Sequence, residues 1–178
     1  LAPTYRINDK LALTYQFISS FLQNAIGYVD KNNTNDSIFF GRRDISNIEN
    51  IAQVKYSLSN NSLLNLRLRH YWSNVDHHAY YLLQHDGTFQ STIREANYNT
   101  NVSALNADIS YTWRFLPGSE LSLVWKRYFY LYNQDVASSY VKNLQNVLDY
   151  SQVNSVSLKL IYYIDYQTLK TAKKAIFL

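Results

Sequence analysis

Basic side chains recur at alternate positions in several extended segments of the chain. In residues 64–72, for example, Arg67 and Arg69 alternate with leucines. A surface that carries one sign of charge concentrates ions of the opposite sign, so an anion-attracting inner wall is one hypothesis. The alternative is a plugged interior in which the inward charges pair with other groups. The residues of this predicted basic wall are Lys55, Arg67, Arg69, Arg114, Lys126 and Lys159.

The histidines are the candidate metal ligands, because imidazole and carboxylate together bind transition metals. Adjacent His77 and His78 point to opposite faces of a strand, and no His-x-His or helical pair puts two histidines on one side. We therefore predict polar loop residues rather than a metal site, and no cofactor. The side chains concerned are His70, His77, His78, His85, Asp76 and Asp86.

Enzymatic chemistry has little support in the sequence. The chain lacks G-x-S-x-G, H-E-x-x-H and phosphate-loop patterns. It contains no cysteine, which excludes thiolate catalysis, disulfides and cysteine zinc sites. Ser73 follows His70 by three positions, which places the two on opposite faces of a strand. We predict no catalytic residue in this chain and lean against an enzyme.

Strands with a period of two are the elements that must position these side chains. In residues 105–115, and again in 154–166, apolar and polar residues alternate, which gives each strand one apolar and one polar face. About seven such segments are visible. The side chains predicted to face lipid are Leu64, Leu66, Leu68, Ile109, Tyr111, Leu121, Leu123, Leu158 and Leu160.

The connections between these segments alternate in length. They are short at Asn8, Asn60 and Pro117, and long after Asp30, Asp86 and Gln134. Outer-membrane barrels combine short periplasmic turns with longer extracellular loops. The sequence therefore predicts an all-β fold, an antiparallel up-and-down transmembrane β-barrel. Near-helical spacing within residues 140–148 of the last long connection predicts a short helix.

Aromatic residues are abundant, with 17 Tyr and 3 Trp among 178 residues. Tyrosine and tryptophan collect where an apolar layer meets water, and we predict an aromatic girdle. Its members are Tyr56, Trp72, Phe115 and Phe129. The apolar stretches are about nine residues long, and a membrane strand needs roughly 9 to 11.

Arg127 interrupts the apolar face of its strand. A charge there costs little only if the side chain reaches the interface, so Arg127 either snorkels or is turned inward by a bulge after Trp125. The second option also accounts for Val124 on the polar face.

The chain has the properties of a piece of a larger barrel. It contains no methionine, and its seven predicted strands are one fewer than the smallest bacterial single-chain barrel has. We assign residues 1–167 to the C-terminal part of an outer-membrane barrel and residues 168–178 to a periplasmic tail.

Four segments carry a resemblance to a known family. They are PTYRINDKLALTYQF at residues 3–17, LRLRHYWS at 66–73, WRFLPGSELSLVWK at 113–126 and NSVSLKLIYYIDY at 154–166. Together they resemble the C-terminal barrel domain of large Bacteroidetes-type outer-membrane proteins. Those proteins carry an N-terminal periplasmic module similar to family-nine carbohydrate-binding domains. The resemblance implies an outer-membrane protein, sometimes labelled hydrolase or carbohydrate-binding, whose binding module lies outside this chain.

We therefore predict an outer-membrane β-barrel protein of a Gram-negative bacterium that serves as membrane anchor, passage or assembly partner. Its expected partners are the lipid bilayer and lipopolysaccharide, the missing N-terminal part of the same barrel, and other outer-membrane or periplasmic proteins. Nucleic acid is not expected, because the basic residues are dispersed. One alternative is a membrane-associated hydrolase or carbohydrate-binding protein whose active module lies elsewhere. The other is a soluble β-barrel that binds an apolar ligand.

Overall fold

The chain folds into one antiparallel sheet with a single helix. The computed structural model describes residues 2–32, 34 and 36–164. Residues 165–167 of the predicted barrel segment and the whole predicted tail, 168–178, lie outside the described residues. The elements are β1 (Thr4–Arg6), β2 (Leu11–Asn32), β3 (Ser37–Ser59), β4 (Ser62–Leu83), β5 (Phe89–Thr92), β6 (Thr100–Leu116), β7 (Ser119–Asn133), α1 (Tyr140–Leu148) and β8 (Gln152–Ile161).

Neighbouring strands in the sheet are also neighbours along the chain. The order is β1-β2-β3-β4-β6-β7-β8, all antiparallel, and the short β5 pairs with β4 alone. The predicted all-β, up-and-down arrangement is therefore confirmed. Within the described residues the sheet is open, since no ladder joins β1 to β8.

One of the predicted long connections is largely strand. β3 begins at Ser37, so the β2–β3 connection shrinks to residues 33–36, whereas β4 ends at Leu83, just before the predicted turn at Asp86. The prediction for the β2–β3 connection was wrong because residues 37–47 show no two-residue period. The short turns at residues 8–10, 60–61 and 117–118 lie at one end of the sheet, which we call the turn end, and the strands extend to the opposite, far end. At the turn end, Gly118 has φ +74°, a conformation that favours glycine.

The register aligns apolar side chains on one face across six strands. Residues directly opposite each other in an antiparallel pair share a face. One such row runs from β2 to β8 through Leu13, Val54, Leu66, Ile109, Trp125 and Val156. The next row of the other face runs through Thr14, Gln53, Arg67, Asp108, Lys126 and Ser155. We call these the apolar face and the polar face.

The predicted helix is present as α1. It begins after Ser139, whose hydroxyl accepts a hydrogen bond from a backbone N–H of the first turn. Tyr140, Asn143 and Val147 follow at helical spacing and turn toward the sheet, where the last two are fully buried. One face of α1 is thus dedicated to packing.

The small core lies between α1 and the apolar face at the far end. Val147 packs against Leu105, Phe129 and Leu131, and the ring of Tyr140 contacts that of Trp72 edge-on. Among the described elements, α1 is the only one that packs across the sheet, and it contacts β4, β6 and β7. Nothing in the described part of the chain covers the remainder of the apolar face.

The predicted aromatic girdle is wrong for two of its members. Trp72 and Phe129 are 7% and 6% exposed, because α1 covers them. Alternation along a strand identifies the face of a side chain but not what packs against it. Tyr56 lies outside the footprint of α1 and is partly exposed.

Arg127 remains on the apolar face. The β6–β7 register is unbroken between Trp113↔Leu121 and Asn101↔Asn133, so the suggested bulge after Trp125 does not exist. The guanidinium carbon of Arg127 lies 4.8 Å from the centroid of the Phe129 ring, a cation–π contact. Val124 occupies the polar face without any irregularity.

Candidate functional site

The basic wall lies on the polar face, as its register requires. Three of its members, Arg67, Arg69 and Lys126, line one open cavity of about 390 Å³ together with Asp108 and Tyr128. The other three, Lys55, Arg114 and Lys159, lie outside this cavity. The structure thus gathers half of the predicted wall around one space.

Most residues of the wall form no close ion pair in the described chain, although Asp108 lies opposite Arg67 and Lys126 in the sheet. Arg69 pairs with Glu49, and Nε of Arg114 lies 3.6 Å from a carboxylate oxygen of Glu120. In the described part of the chain, the remaining four make no ion pair. These are Lys55, Arg67, Lys126 and Lys159.

The nine side chains predicted to contact lipid share the apolar face. Leu64, Tyr111, Leu123 and Leu158 form one row. Exposure increases toward the last strand, where Leu158 is 69% exposed. The other five are Leu66, Leu68, Ile109, Leu121 and Leu160. We call this uncovered region, between the turn end and α1, the apolar band.

A chain of hydrogen-bonded polar side chains, which runs from exposed Tyr15 to buried Ser103, joins α1 to four strands. Tyr15 donates to Asn50, whose Nδ2 donates to the hydroxyl of Tyr140 at 2.7 Å. That hydroxyl lies 2.9 Å from Nδ1 of His70, and Nε2 of His70 lies 3.0 Å from Oγ of Ser103. One consistent tautomer has Tyr140 accept from Asn50 and donate to Nδ1 of His70, which leaves Nε2 of His70 to donate to Ser103.

His70 and Ser103 form a buried hydrogen-bonded pair beneath α1. His70 is 4% exposed and Ser103 has no exposed surface, so a substrate cannot reach the pair in this structure. The prediction that Ser73 and His70 lie on opposite faces of the strand is confirmed, because Ser73 pairs with Asn47 and Val102 on the polar face.

A second polar group fixes the start of α1. Nε1 of Trp72 donates to Asn101 at 3.0 Å, and Asn101 donates to the side-chain oxygen of Asn143. Asn143 in turn donates to the carbonyls of Ser138 and Ser139. Because each buried amide has partners, this group stabilises the docked helix.

The candidate metal ligands are dispersed. His70 lies beneath α1, His77 lines the polar face, and His78 binds Asp44 at 3.0 Å, while His85 lies in the β4–β5 turn. Among the described residues, no group of three or more metal-binding side chains comes together.

Sequence reasoning missed a second cavity at the far end of the polar face. This cavity of about 290 Å³ is lined by Arg43 and His77. Burial, and then the positive charge of Arg43, lowers the pKa of His77. The available signal was a pair of glycines within the strands, Gly27 and Gly41, which often marks a close approach.

The connection between β5 and β6 folds over this cavity. The hydroxyl of Tyr98 and the guanidinium of Arg94 both donate to Oδ2 of Asp30, at 2.7 Å and 2.6 Å. The guanidinium carbon of Arg94 also lies 4.0 Å from the centroid of the Phe39 ring. The hydrogen bond from Tyr98 is the main cause that lowers the pKa of Asp30.

One family matches almost the entire chain. Residues 1–173 match the family described as Domain of unknown function (DUF5916). The chain belongs to this family. No curated protein and no solved structure matches it. No helix in the described residues is long and apolar enough to cross a membrane.

Proposed function

We propose that this chain forms part of the wall of an outer-membrane β-barrel in a Gram-negative bacterium. In this arrangement the apolar band contacts lipid and the basic wall lines the interior. The protein serves as a membrane anchor, a passage for solutes or an assembly partner. Lipopolysaccharide contacts the outer border of the band.

The observation that carries the proposal is the height of the apolar band. β8 begins opposite Phe129, which lies beneath α1, and ends opposite Glu120, next to a short turn. It is ten residues long, and a membrane strand needs roughly 9 to 11. The space between α1 and the turn end therefore suits the hydrocarbon layer.

The two edges of the sheet supply a second argument. β1 pairs with only a short part of β2, and the outer edge of β8 has no partner among the described residues. Unpaired backbone groups are costly in lipid, so strands that span a membrane form closed barrels. We infer that further strands of the same barrel pair with both edges.

Spin labelling tests the medium that contacts each face. The chain has no cysteine, so each variant carries a single label. Leu66→Cys and Leu158→Cys probe the apolar band, Asn65→Cys and Ser155→Cys the polar face, and Leu131→Cys a buried position. Accessibility to oxygen and to a water-soluble nickel chelate is measured in outer membranes.

The proposal predicts high oxygen and low nickel accessibility at Leu66 and Leu158, with the reverse at Asn65 and Ser155. Low values for both reagents at Leu66, like those at Leu131, would instead favour a soluble fold with a covered apolar face. High nickel accessibility at Leu66 and Leu158 would rule out lipid contact.

A further inference from the structure

The cavity at the far end of the polar face contains a cation without a counter-ion. Arg43 lines it and forms no ion pair with any described carboxylate. The carboxylate of nearby Asp30 is already bound by Arg94 and Tyr98. A partly buried cation of this kind favours an anionic partner.

Arg43 and His77 also have unused hydrogen-bonding capacity. Nε of Arg43 and both ring nitrogens of His77 are buried and have no hydrogen-bond partner in the described chain. Neutral imidazole offers one donor, and guanidinium offers several in a planar fork that suits a carboxylate. Together they form a polar corner in the cavity.

Two glycines make room for this corner. A β-carbon on Gly41 would lie 2.6 Å from Cδ2 of His77, and one on Gly27 would overlap the guanidinium of Arg43. The two glycines are paired across β2 and β3. Their missing side chains allow Arg43 and His77 to lie close to the backbone of the sheet. Register shifts on either side of the corner fix its local geometry.

Two valines and three tyrosines line the rest of the cavity, together with the polar residues Asn97, Thr100 and Gln134. Tyr28, Val29, Val75 and Tyr132 surround the corner, and the connection above is held by a 2.6 Å hydrogen bond from Gln134 to the carbonyl of Asn97. The volume, about 290 Å³, is close to the lower limit of roughly 300 Å³ for ligand pockets. A ligand of about one ring fits this size.

We propose that this cavity binds a small carboxylate whose carboxyl group contacts Arg43 and His77 and whose apolar body packs against the valines and tyrosines. This proposal goes beyond the barrel function and does not depend on which medium contacts the apolar face.

Calorimetry with benzoate tests the site on the purified full chain in detergent. Wild-type protein is expected to bind benzoate, and Arg43→Gln to weaken binding by at least about tenfold, because a charge-assisted hydrogen bond is lost. Arg42→Gln is the matched control. The guanidinium of Arg42 lies 5.5 Å from the ring of Tyr81 and does not line the cavity, so binding is expected to stay within about twofold. Circular dichroism verifies that each variant is folded.

Two further probes test the contributions of the ligand's charge and of its apolar body separately. Benzyl alcohol lacks the charge and inorganic phosphate lacks the apolar body, so each is expected to bind at least about tenfold more weakly than benzoate. If Arg43→Gln fails to fold, Val75→Leu narrows the cavity and keeps the charge, and it should also weaken benzoate binding. The proposal is overturned if folded wild-type protein binds no benzoate, if benzyl alcohol or phosphate binds as tightly, or if both arginine variants bind alike.

Discussion

The turn end and the far end of the same sheet differ in how far the chain itself covers or binds their side chains. At the turn end, register shifts occur only next to the turns, at residues 57–59 and 113–116, the apolar band is uncovered, and four of the six residues of the basic wall make no ion pair in the described chain. At the far end, β2 and β3 contain bulges, α1 covers the apolar side, and polar side chains bind each other. The apolar side of the far end is covered by α1 of the same chain, whereas the apolar band nearer the turn end is covered by nothing in the described chain.

A charge placed in the apolar band should cause the largest loss of folding stability. Leu66→Arg puts a cation near the middle of the band, which costs about 2–4 kcal/mol if the band contacts lipid. Asn65→Arg is the control, because the adjacent side chain lies on the polar face. Urea unfolding in lipid vesicles gives both free energies. Equal costs for the two variants would contradict a lipid-facing band.

Removing the amide of Asn143 should affect the far end alone. Asn143→Ala leaves Asn101 and two helix-start carbonyls without their partner, at a cost of about 1–3 kcal/mol. Gln145→Ala, on the exposed side of α1, should change stability by less than about 0.5 kcal/mol. Hydrogen exchange of the α1 amides measures both effects. Faster exchange at the turn end as well would show that the two ends are not independent.

The turn end was the more predictable of the two from sequence. Regular alternation assigned Leu64, Leu66 and Leu68 to one face and Arg67 and Arg69 to the other, because a two-residue period is independent of tertiary contacts. The short turn at Asn60 and the spacing of α1 were also readable from local chemistry.

The far end was less predictable because its geometry depends on irregularities. A bulge shifts the face of every later side chain, so the pairing of Arg43 with His77 follows only from the register. The contact of Ser103 with His70 joins residues of adjacent strands through a long connection, and no motif encodes it. Trp72 was misassigned for the same reason, since the docking of α1 is a tertiary property.

Removing the hydroxyl of Tyr140 should reduce stability by less than removing the amide of Asn143 does. Tyr140→Phe keeps the ring contact with Trp72 but interrupts the polar chain between Asn50 and His70, at a cost of about 0.5–1.5 kcal/mol. Tyr150→Phe, at an exposed position beyond the helix, is the control. Thermal unfolding compares the two variants. An equal effect would mean that the polar chain does not hold α1 to the sheet.

Acidification should cause the smallest loss of stability. This loss should be confined to the connection over the far-end cavity. The hydrogen bond from Tyr98 lowers the pKa of Asp30, with further contributions from the N–H of Lys31 and from Arg94. Because the folded pKa lies below the unfolded value of about 3.9, the carboxylate stabilises this connection above about pH 4, and the contribution is lost as pH falls through the folded pKa. Hydrogen exchange of residues 93–99 should therefore accelerate at low pH, and Asp30→Asn should reproduce the acceleration at pH 7. Asp36→Asn, at an exposed turn position, should leave exchange unchanged. If wild-type exchange at these residues, corrected for the intrinsic rate, is the same at pH 3 and pH 7, the contacts of Asp30 do not hold the connection.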